Sequence, residues 1–227
     1  MKKLLTQSLC LMVLGAAAAS AQSARVRVVH ASPDAPNVDI LVNNNKVLEN
    51  LPFMEYSEYL PVPGGTYNVK INVTGTSNTA LDVPLSVTGG KDYTVVAVGY
   101  VGSGKTPSFT VNVLEDDNSA PSDDNVKVLV MHAAPGAPAV DVYWTTPFET
   151  LEGKTPVLAN VPFNVASGYL TVPPSMCQAR VAVAGTKMIA IDSTRLVTWS
   201  GIIRTIIAVD SRGGGAPFGL IVLPDGF

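Results

Sequence analysis

Cysteine, histidine and charge are scarce in this chain of 227 residues, which has two cysteines, two histidines and only 15% charged residues. A copper or zinc site normally needs several imidazole or thiolate ligands, and the two histidines lie about a hundred residues apart. No Gly-x-Ser-x-Gly motif is present, so nothing marks a hydrolase nucleophile. The composition therefore gives little support to metal-dependent or hydrolytic catalysis.

Long apolar runs are missing after the N-terminus, where no segment approaches the roughly 20 apolar residues of a membrane-spanning helix. Residues 1–21 begin with two lysines after Met1, continue with an apolar stretch and end in Ala-Ser-Ala. That order is typical of a cleavable signal peptide. We expect an exported protein without a transmembrane segment, located in the periplasm, on the cell-envelope surface or outside the cell.

Removing this segment changes both the thiol content and the charge. Cys10 lies within it, so Cys177 remains alone and cannot close a disulfide within one chain. The remaining chain has 13 basic against 18 acidic residues, a net charge of about −5. We therefore expect no nucleic-acid partner and no attraction to an anionic membrane surface.

An internal repeat extends over the rest of the chain. Residues 26–42 read VRVVHASPDAPNVDILV, and residues 128–144 read VLVMHAAPGAPAVDVYW. These two runs match at an offset of 102 residues, whereas later matches between the copies have an offset of 110 residues. The second copy therefore contains an insertion, within residues 145–153. A run this long does not arise by chance, and we infer two divergent copies of one unit.

Each copy contains about seven short runs rich in Val, Ile, Thr and Tyr, separated by Pro, Gly, Asn and Asp. In the first copy these runs lie near residues 25–30, 38–42, 57–62, 67–73, 81–87, 93–100 and 108–114. This spacing, without a helical period, predicts an all-β fold of two tandem antiparallel β-sandwich domains. The predicted organisation is a signal peptide at 1–21, repeat 1 at 22–115, an acidic linker at 116–125 and repeat 2 at 126–227.

The motifs VVHASPDAPNVDILV, LPF and YTVVAVG resemble a secreted and cell-surface bacterial family known as DUF4397, a domain of unknown function. VMHAAPGAPAVDVYW, VPF and TIIAVD resemble a second, more diverged copy. The resemblance implies immunoglobulin-like β-sandwiches on the cell envelope or outside the cell. It implies no reaction and no catalytic residues.

The two histidines occupy the same position in each copy. His30 and His132 each end an apolar strand, so we expect them half-buried at the end of a sandwich. Asp39 and Asp141 follow nine residues later, and a hairpin would place each carboxylate opposite its imidazole, as in a metal-ligating pair. A one-residue change of register would separate them. The favoured alternative is that these side chains bind the backbone of the proline-rich loop.

Residues 99–106, GYVGSGKT, match the phosphate-binding P-loop pattern. That pattern must open a helix, whereas here Pro107 and an alternating strand-like run follow. The corresponding loop of the second copy, SRGGGAP, has no lysine. Both segments are predicted to be Gly-rich hairpin loops.

The favoured function is a non-enzymatic, exported structural or interaction protein of the cell envelope or surface layer, with no catalytic residues and no cofactor. Its 47% hydrophobic content indicates apolar surface covered by a partner, which we expect to be another envelope or surface-layer protein.

Two alternatives remain open. One is a copper-dependent, superoxide-dismutase-like redox protein that uses His30 and His132. The other is a carbohydrate-binding module that contacts polysaccharide, although its aromatic residues are expected to pack in the core: Tyr56, Tyr59, Tyr67, Tyr143, Trp144, Tyr169 and Trp199.

Overall fold

A computed structural model describes residues 22–122, 124–193 and 195–226. The predicted signal peptide at 1–21 lies outside the described residues. The described ranges contain 18 β-strands and no helix, which confirms the predicted all-β class. It follows that no helix in these ranges is long and apolar enough to cross a membrane.

The first copy contributes eight strands: β1 (Ser23–His30), β2 (Val38–Val42), β3 (Asn45–Leu51), β4 (Leu60–Pro63), β5 (Gly65–Val73), β6 (Thr79–Val87), β7 (Asp92–Val98) and β8 (Thr110–Asp116). They form two four-stranded sheets with the orders β4-β1-β7-β8 and β3-β2-β5-β6. β1 pairs with β7 in parallel, and the other pairs are antiparallel. Residues between the two sheets, including Val28, Ile40 and Ile71, form the core of this sandwich.

The second copy contributes ten strands: β9 (Val126–His132), β10 (Val140–Thr145), β11 (Leu158–Val161), β12 (Val165–Ala166), β13 (Leu170–Val172), β14 (Met176–Val183), β15 (Ile189–Asp192), β16 (Leu196–Val197), β17 (Ile203–Val209) and β18 (Gly219–Asp225). One sheet has the order β12-β9-β17-β18, with β13 also paired to β9. The other has the order β11-β10-β14-β15, with β16 paired to β14. β9 and β17 repeat the parallel pairing of β1 and β7.

The sheets that contain β1 and β9 pack against each other. One apolar cluster joins residues of both copies, among them Val29 and Val96 of the first and Met131 and Ile207 of the second. The opposite faces of these sheets pack inside their own sandwiches. The molecule is therefore a stack of four sheets with a shared central core.

This arrangement explains the sequence of the central strands. Strands buried on both faces are continuous apolar runs and do not alternate with polar residues. The segments TVVAV at 94–98 and TIIAV at 205–209 are runs of this kind, and all ten residues are buried. Part of the high hydrophobic content is thus covered by the sister copy.

The connection between the copies follows β8, which extends to Asp116, the first residue of the predicted acidic linker. Asp116 is buried, and the side chain of Asp117 lies 2.7 Å from the Lys127 ammonium of β9. The amide of Gly226 donates to Asn118 Oδ1 at 3.0 Å. The start of this connection is therefore held against the second sandwich.

Candidate functional site

His30 is fully buried at the end of β1, where we expected a half-buried side chain. The amide of Ser32 lies 3.4 Å from Nδ1, and Nε2 lies 3.0 Å from the carbonyl oxygen of Pro36. Because Nδ1 accepts from an N–H group, Nε2 carries the proton and donates to Pro36. The ring also packs edge-on against Phe53, with centroids 6.0 Å apart. The hydrogen bond from His30 to Pro36 therefore anchors the proline-rich loop that follows β1.

His132 repeats this arrangement and is also buried more deeply than expected. Its Nε2 lies 3.0 Å from the Pro138 carbonyl oxygen, and the amide of Ala134 approaches Nδ1 at 3.3 Å. Phe163 takes the place of Phe53, at 6.3 Å between ring centroids. Burial lowers the pKa of both histidines, so both rings are neutral near pH 7.

Asp39 does not lie opposite His30, because β1 and β2 belong to different sheets and form no hairpin. Its Oδ1 accepts hydrogen bonds of 2.9 Å from the amide of Asn50 and the hydroxyl of Thr74, and the Lys46 ammonium lies 2.7 Å from Oδ2. Burial raises the pKa of Asp39, but these donors outweigh burial and lower the pKa to about 2.

Asp141 has the equivalent role in the second copy. It accepts from the amide of Asn160 at 2.7 Å and from that of Gly185 at 2.9 Å. Asn50 and Asn160 both have positive φ angles, of 58° and 52°. The two aspartates thus fix left-handed turns, and the predicted backbone role is found at turns outside the proline-rich loop.

Within the part of the chain that the structure describes, neither histidine belongs to a cluster of three or more metal-binding side chains. Across residues 22–122, 124–193 and 195–226, no three His, Cys, Asp or Glu side chains group closely enough to hold a metal ion. Cys177 lies inside the second sandwich, where burial raises the pKa of its thiol.

The segment GYVGSGKT forms the predicted Gly-rich hairpin loop between the antiparallel strands β7 and β8. The Asp34 carboxylate accepts hydrogen bonds from the amides of Val101 at 2.8 Å and Gly102 at 3.1 Å. The Lys105 ammonium lies 3.0 Å from the same carboxylate. The groups that a P-loop would offer to phosphate are thus bound to an internal carboxylate.

The Gly-rich loop of the second copy meets this region. Asp210 accepts from the amides of Gly215 at 2.8 Å and Gly136 at 3.0 Å, and also from the hydroxyl of Tyr100 at 3.0 Å. The amide of Gly213 donates to the Pro33 carbonyl oxygen across the two copies, at 2.8 Å. Proline-rich and Gly-rich loops of both copies therefore join at one end of the molecule.

A second feature is an exposed apolar surface on the second sandwich, whose location the sequence did not indicate. Met176 and Val197 are paired across β14 and β16 and are 51% and 57% exposed. Trp199, two residues further on, is 63% exposed, although we expected it to pack in the core. Thr198, between the two exposed residues, is buried, and its amide and hydroxyl both donate to the Ser175 carbonyl oxygen at 3.0 Å. We call Met176, Val197 and Trp199 the β16 patch.

The third feature is a cavity of about 350 Å³ between the two sheets of the first sandwich. Its walls are apolar and come from β1, β2, β5, β6 and β7, and the edge strands β3 and β4 contribute Val47, Leu60, Pro61 and Val62. The only polar side-chain group among the lining residues is the hydroxyl of Tyr67, which donates to the Pro63 carbonyl oxygen at 2.7 Å.

No curated protein matches this chain. Among solved structures, similarity is found to a family 26 carbohydrate-binding module of Amy13K from Eubacterium rectale, solved with maltoheptaose. The identity is 13%, with 91% of this chain and 100% of that chain covered and a TM-score of 0.26. A Bacteroides fragilis protein provisionally assigned to cell adhesion has 9% identity, coverages of 91% and 98%, and a TM-score of 0.22. Scores this low do not inform the function of this chain.

A protein-family comparison is more specific. The family described as domain of unknown function DUF4397 matches residues 24–143, which include nearly all of the first sandwich, β9 and most of β10. The match covers more than half of the 227 residues and contains the histidine–proline motifs of both copies. The chain therefore belongs to the DUF4397 family.

Proposed function

We propose that this is a non-enzymatic, exported cell-envelope protein that binds another envelope or surface-layer protein through the β16 patch. The observation that carries the proposal is the exposure of Trp199, two residues after Val197, which is itself exposed and paired with the exposed Met176. Apolar side chains grouped on a surface commonly mark a site of protein contact. Tryptophan and methionine are both enriched at such sites.

The rest of the molecule supports a scaffold role. The two sandwiches share one apolar core, so the patch is carried on a double unit with buried central sheets. The side chains considered for a metal site have internal structural partners: His30, His132, Asp39 and Asp141. Both observations favour binding by a preformed surface over chemistry at these residues.

The composition of the patch favours a protein partner over a polysaccharide. Sugar rings are bound by aromatic platforms together with directed polar groups, whereas the other two residues of the β16 patch, Met176 and Val197, are apolar. Flexible methionine suits an irregular apolar protein surface.

The test is co-sedimentation of the purified chain, residues 22–227, with envelope sheets isolated from the source cells. We expect saturable retention that Trp199→Ala weakens by about tenfold, as loss of a central aromatic contact would. Met188→Ala is the matched control, because Met188 is 69% exposed and lies beside Val183, at the end of β14 opposite to Met176. Equal retention of the Trp199 and Met188 variants, or no retention of the parent chain, would overturn the proposal.

Two further measurements distinguish the carbohydrate-binding and redox alternatives from the proposed function. Retention on protease-treated sheets or on purified envelope polysaccharide would favour the carbohydrate-binding alternative. Stoichiometric copper in chelator-free protein from its native envelope, lost in His30→Ala and His132→Ala variants, would favour the redox alternative.

A further inference from the structure

The cavity of the first sandwich differs from an ordinary packing defect in size and in access. At about 350 Å³ it falls within the range of small-molecule sites, roughly 300–1,000 Å³. It lies beside β3 and β4, the edge strands of the two sheets, and Val47 at this edge is 46% exposed. An apolar molecule could therefore enter between the edge strands without unfolding of the sheets.

The second sandwich shows what can occupy this place. Val42, which lines the cavity, corresponds to Trp144 at the repeat offset of 102. The strand pairing agrees, because Val42 pairs with Val69 of β5 and Trp144 with Ala179 of β14. The same region of the second copy is therefore occupied by an indole.

The surroundings of the indole correspond to the cavity walls. Trp144 packs against a cluster that includes Val128 and Val130. These valines are the repeat counterparts of Val26 and Val28, which line the cavity. In the second sandwich an aromatic side chain thus fills the gap between the sheets. In the first sandwich the corresponding residues line an open cavity.

We propose that the cavity of the first sandwich is a binding site for a small molecule with an uncharged aromatic ring system. The ring would take the place that the Trp144 indole takes in the second sandwich. The lining has no charged group, so a charged or strongly polar part of the ligand would remain outside, at the edge near Val47 and Pro61. This site is separate from the β16 patch, and its test does not depend on the proposed function.

The first experiment titrates the purified chain with 1-aminoanthracene, a neutral ring probe whose fluorescence rises in apolar surroundings. We expect one saturable site with a dissociation constant below about 100 µM. Spectra of Ile-δ1-methyl-labelled protein should show shifts at Ile40 and Ile71, which line the cavity, and none at Ile191 in the second core. No saturable binding, or shifts at Ile191 instead, would overturn the proposal.

A reciprocal pair of variants tests the role of the indole. Val42→Trp should fill the first cavity and weaken probe binding by about tenfold or more. Trp144→Val should open a similar space in the second sandwich and raise the stoichiometry from one probe molecule to two. Val113→Trp makes the same change at an exposed position of β8 that does not line the cavity, and it should leave binding within about twofold of the parent chain.

Folding of each variant is checked by circular dichroism, and the methyl shifts in the parent chain remain decisive if Val42→Trp does not fold. Unchanged probe affinity in a folded Val42→Trp variant would overturn the assignment. Decanoic acid is titrated in parallel. Tighter binding of decanoic acid than of 1-aminoanthracene at the Ile40 and Ile71 methyls would overturn the aromatic class in favour of an acyl chain.

Discussion

The guanidinium of Arg27 lies 2.6 Å from the carboxylate of Asp225, and the two side chains are 2% and 0% exposed. The pair joins the first strand of one sandwich to the last strand of the other. Arg27 also donates to Thr94 Oγ1 at 2.8 Å and to the Pro224 carbonyl oxygen at 3.1 Å. The Arg27 guanidinium also faces a second buried carboxylate, that of Asp116, at 3.9 Å, so this cation lies between two acidic side chains.

The surroundings of this pair follow the internal repeat, but Arg27 itself does not. Thr94 donates to Asp116 at 2.6 Å, and the corresponding Thr205 donates to Asp225 at 2.7 Å. The second-copy counterpart of Arg27 is Leu129. We infer that this single cation favours contact between unlike copies, because two first copies would bring two arginines together.

We predict that Arg27→Ala lowers the free energy of unfolding by about 3–5 kcal/mol, because it leaves the Asp225 carboxylate buried without its cation. The double variant Arg27→Leu/Asp225→Leu should be less destabilised than Arg27→Ala, since it removes the Asp225 carboxylate together with its cation and leaves only Asp116, whose pKa is raised by burial. Urea unfolding at pH 7 measures both. Arg25→Ala is the control: the Arg25 side chain is 41% exposed in its pair with Asp92, and the expected loss is below about 1 kcal/mol. Equal losses for Arg27→Ala and Arg25→Ala would contradict the assigned role.

The two buried histidines predict a loss of stability on mild acidification. Burial lowers the pKa of His30 and His132 in the folded state, so the unfolded chain binds protons first as the pH falls below 6.5. Stability is therefore greatest above this pH and should fall by up to about 1.4 kcal/mol per pH unit for each histidine. Urea unfolding between pH 7.5 and 5 measures the slope. Replacing both with Gln should flatten it, and an unchanged slope would show that other groups titrate there.

The carboxylate of Asp39 predicts a separate loss of folding stability at lower pH. Its folded-state pKa of about 2 lies below the ordinary 3.8, so its stabilisation is complete above the ordinary value and disappears as the pH falls towards 2. Asp39→Asn should cost about 1–3 kcal/mol at pH 7, because it weakens the contacts with Lys46, Asn50 and Thr74. The difference in the free energy of unfolding between Asp39→Asn and the parent chain, measured by urea titration, should decrease between pH 4 and pH 2. A difference that is constant over this range would show that the carboxylate charge does not contribute.

Most of the strands were predictable because their Val, Ile and Thr runs are bounded by turn residues. β3, with the sequence NKVLENL, was missed because it is an edge strand whose residues are mostly polar and exposed. The suggested pairing of β1 with β2 was wrong because sequence proximity does not reveal that the proline-rich loop crosses between sheets.

The functional features were less accessible from sequence. The histidine–proline motif correctly indicated a loop fastened by buried groups, since the repeat preserves both the donor and the carbonyl acceptor. The exposure of Trp199 depends on its position after the short strand β16, which local composition does not reveal. The cavity depends on side-chain volumes contributed by both sheets, and no sequence pattern predicted it.

Asp34 provides a final prediction, because its carboxylate substitutes internally for the anion that the GYVGSGKT pattern suggests. Asp34→Ala should release the amides of Val101 and Gly102 and speed their hydrogen exchange by about tenfold or more, while Gly215 stays protected by Asp210. Asp210→Ala is the reciprocal control and should expose Gly215 and leave Val101 protected. Amide exchange followed by NMR resolves the three positions. Protection of Val101 and Gly102 that survives loss of the carboxylate would mean that the hairpin alone orders this loop.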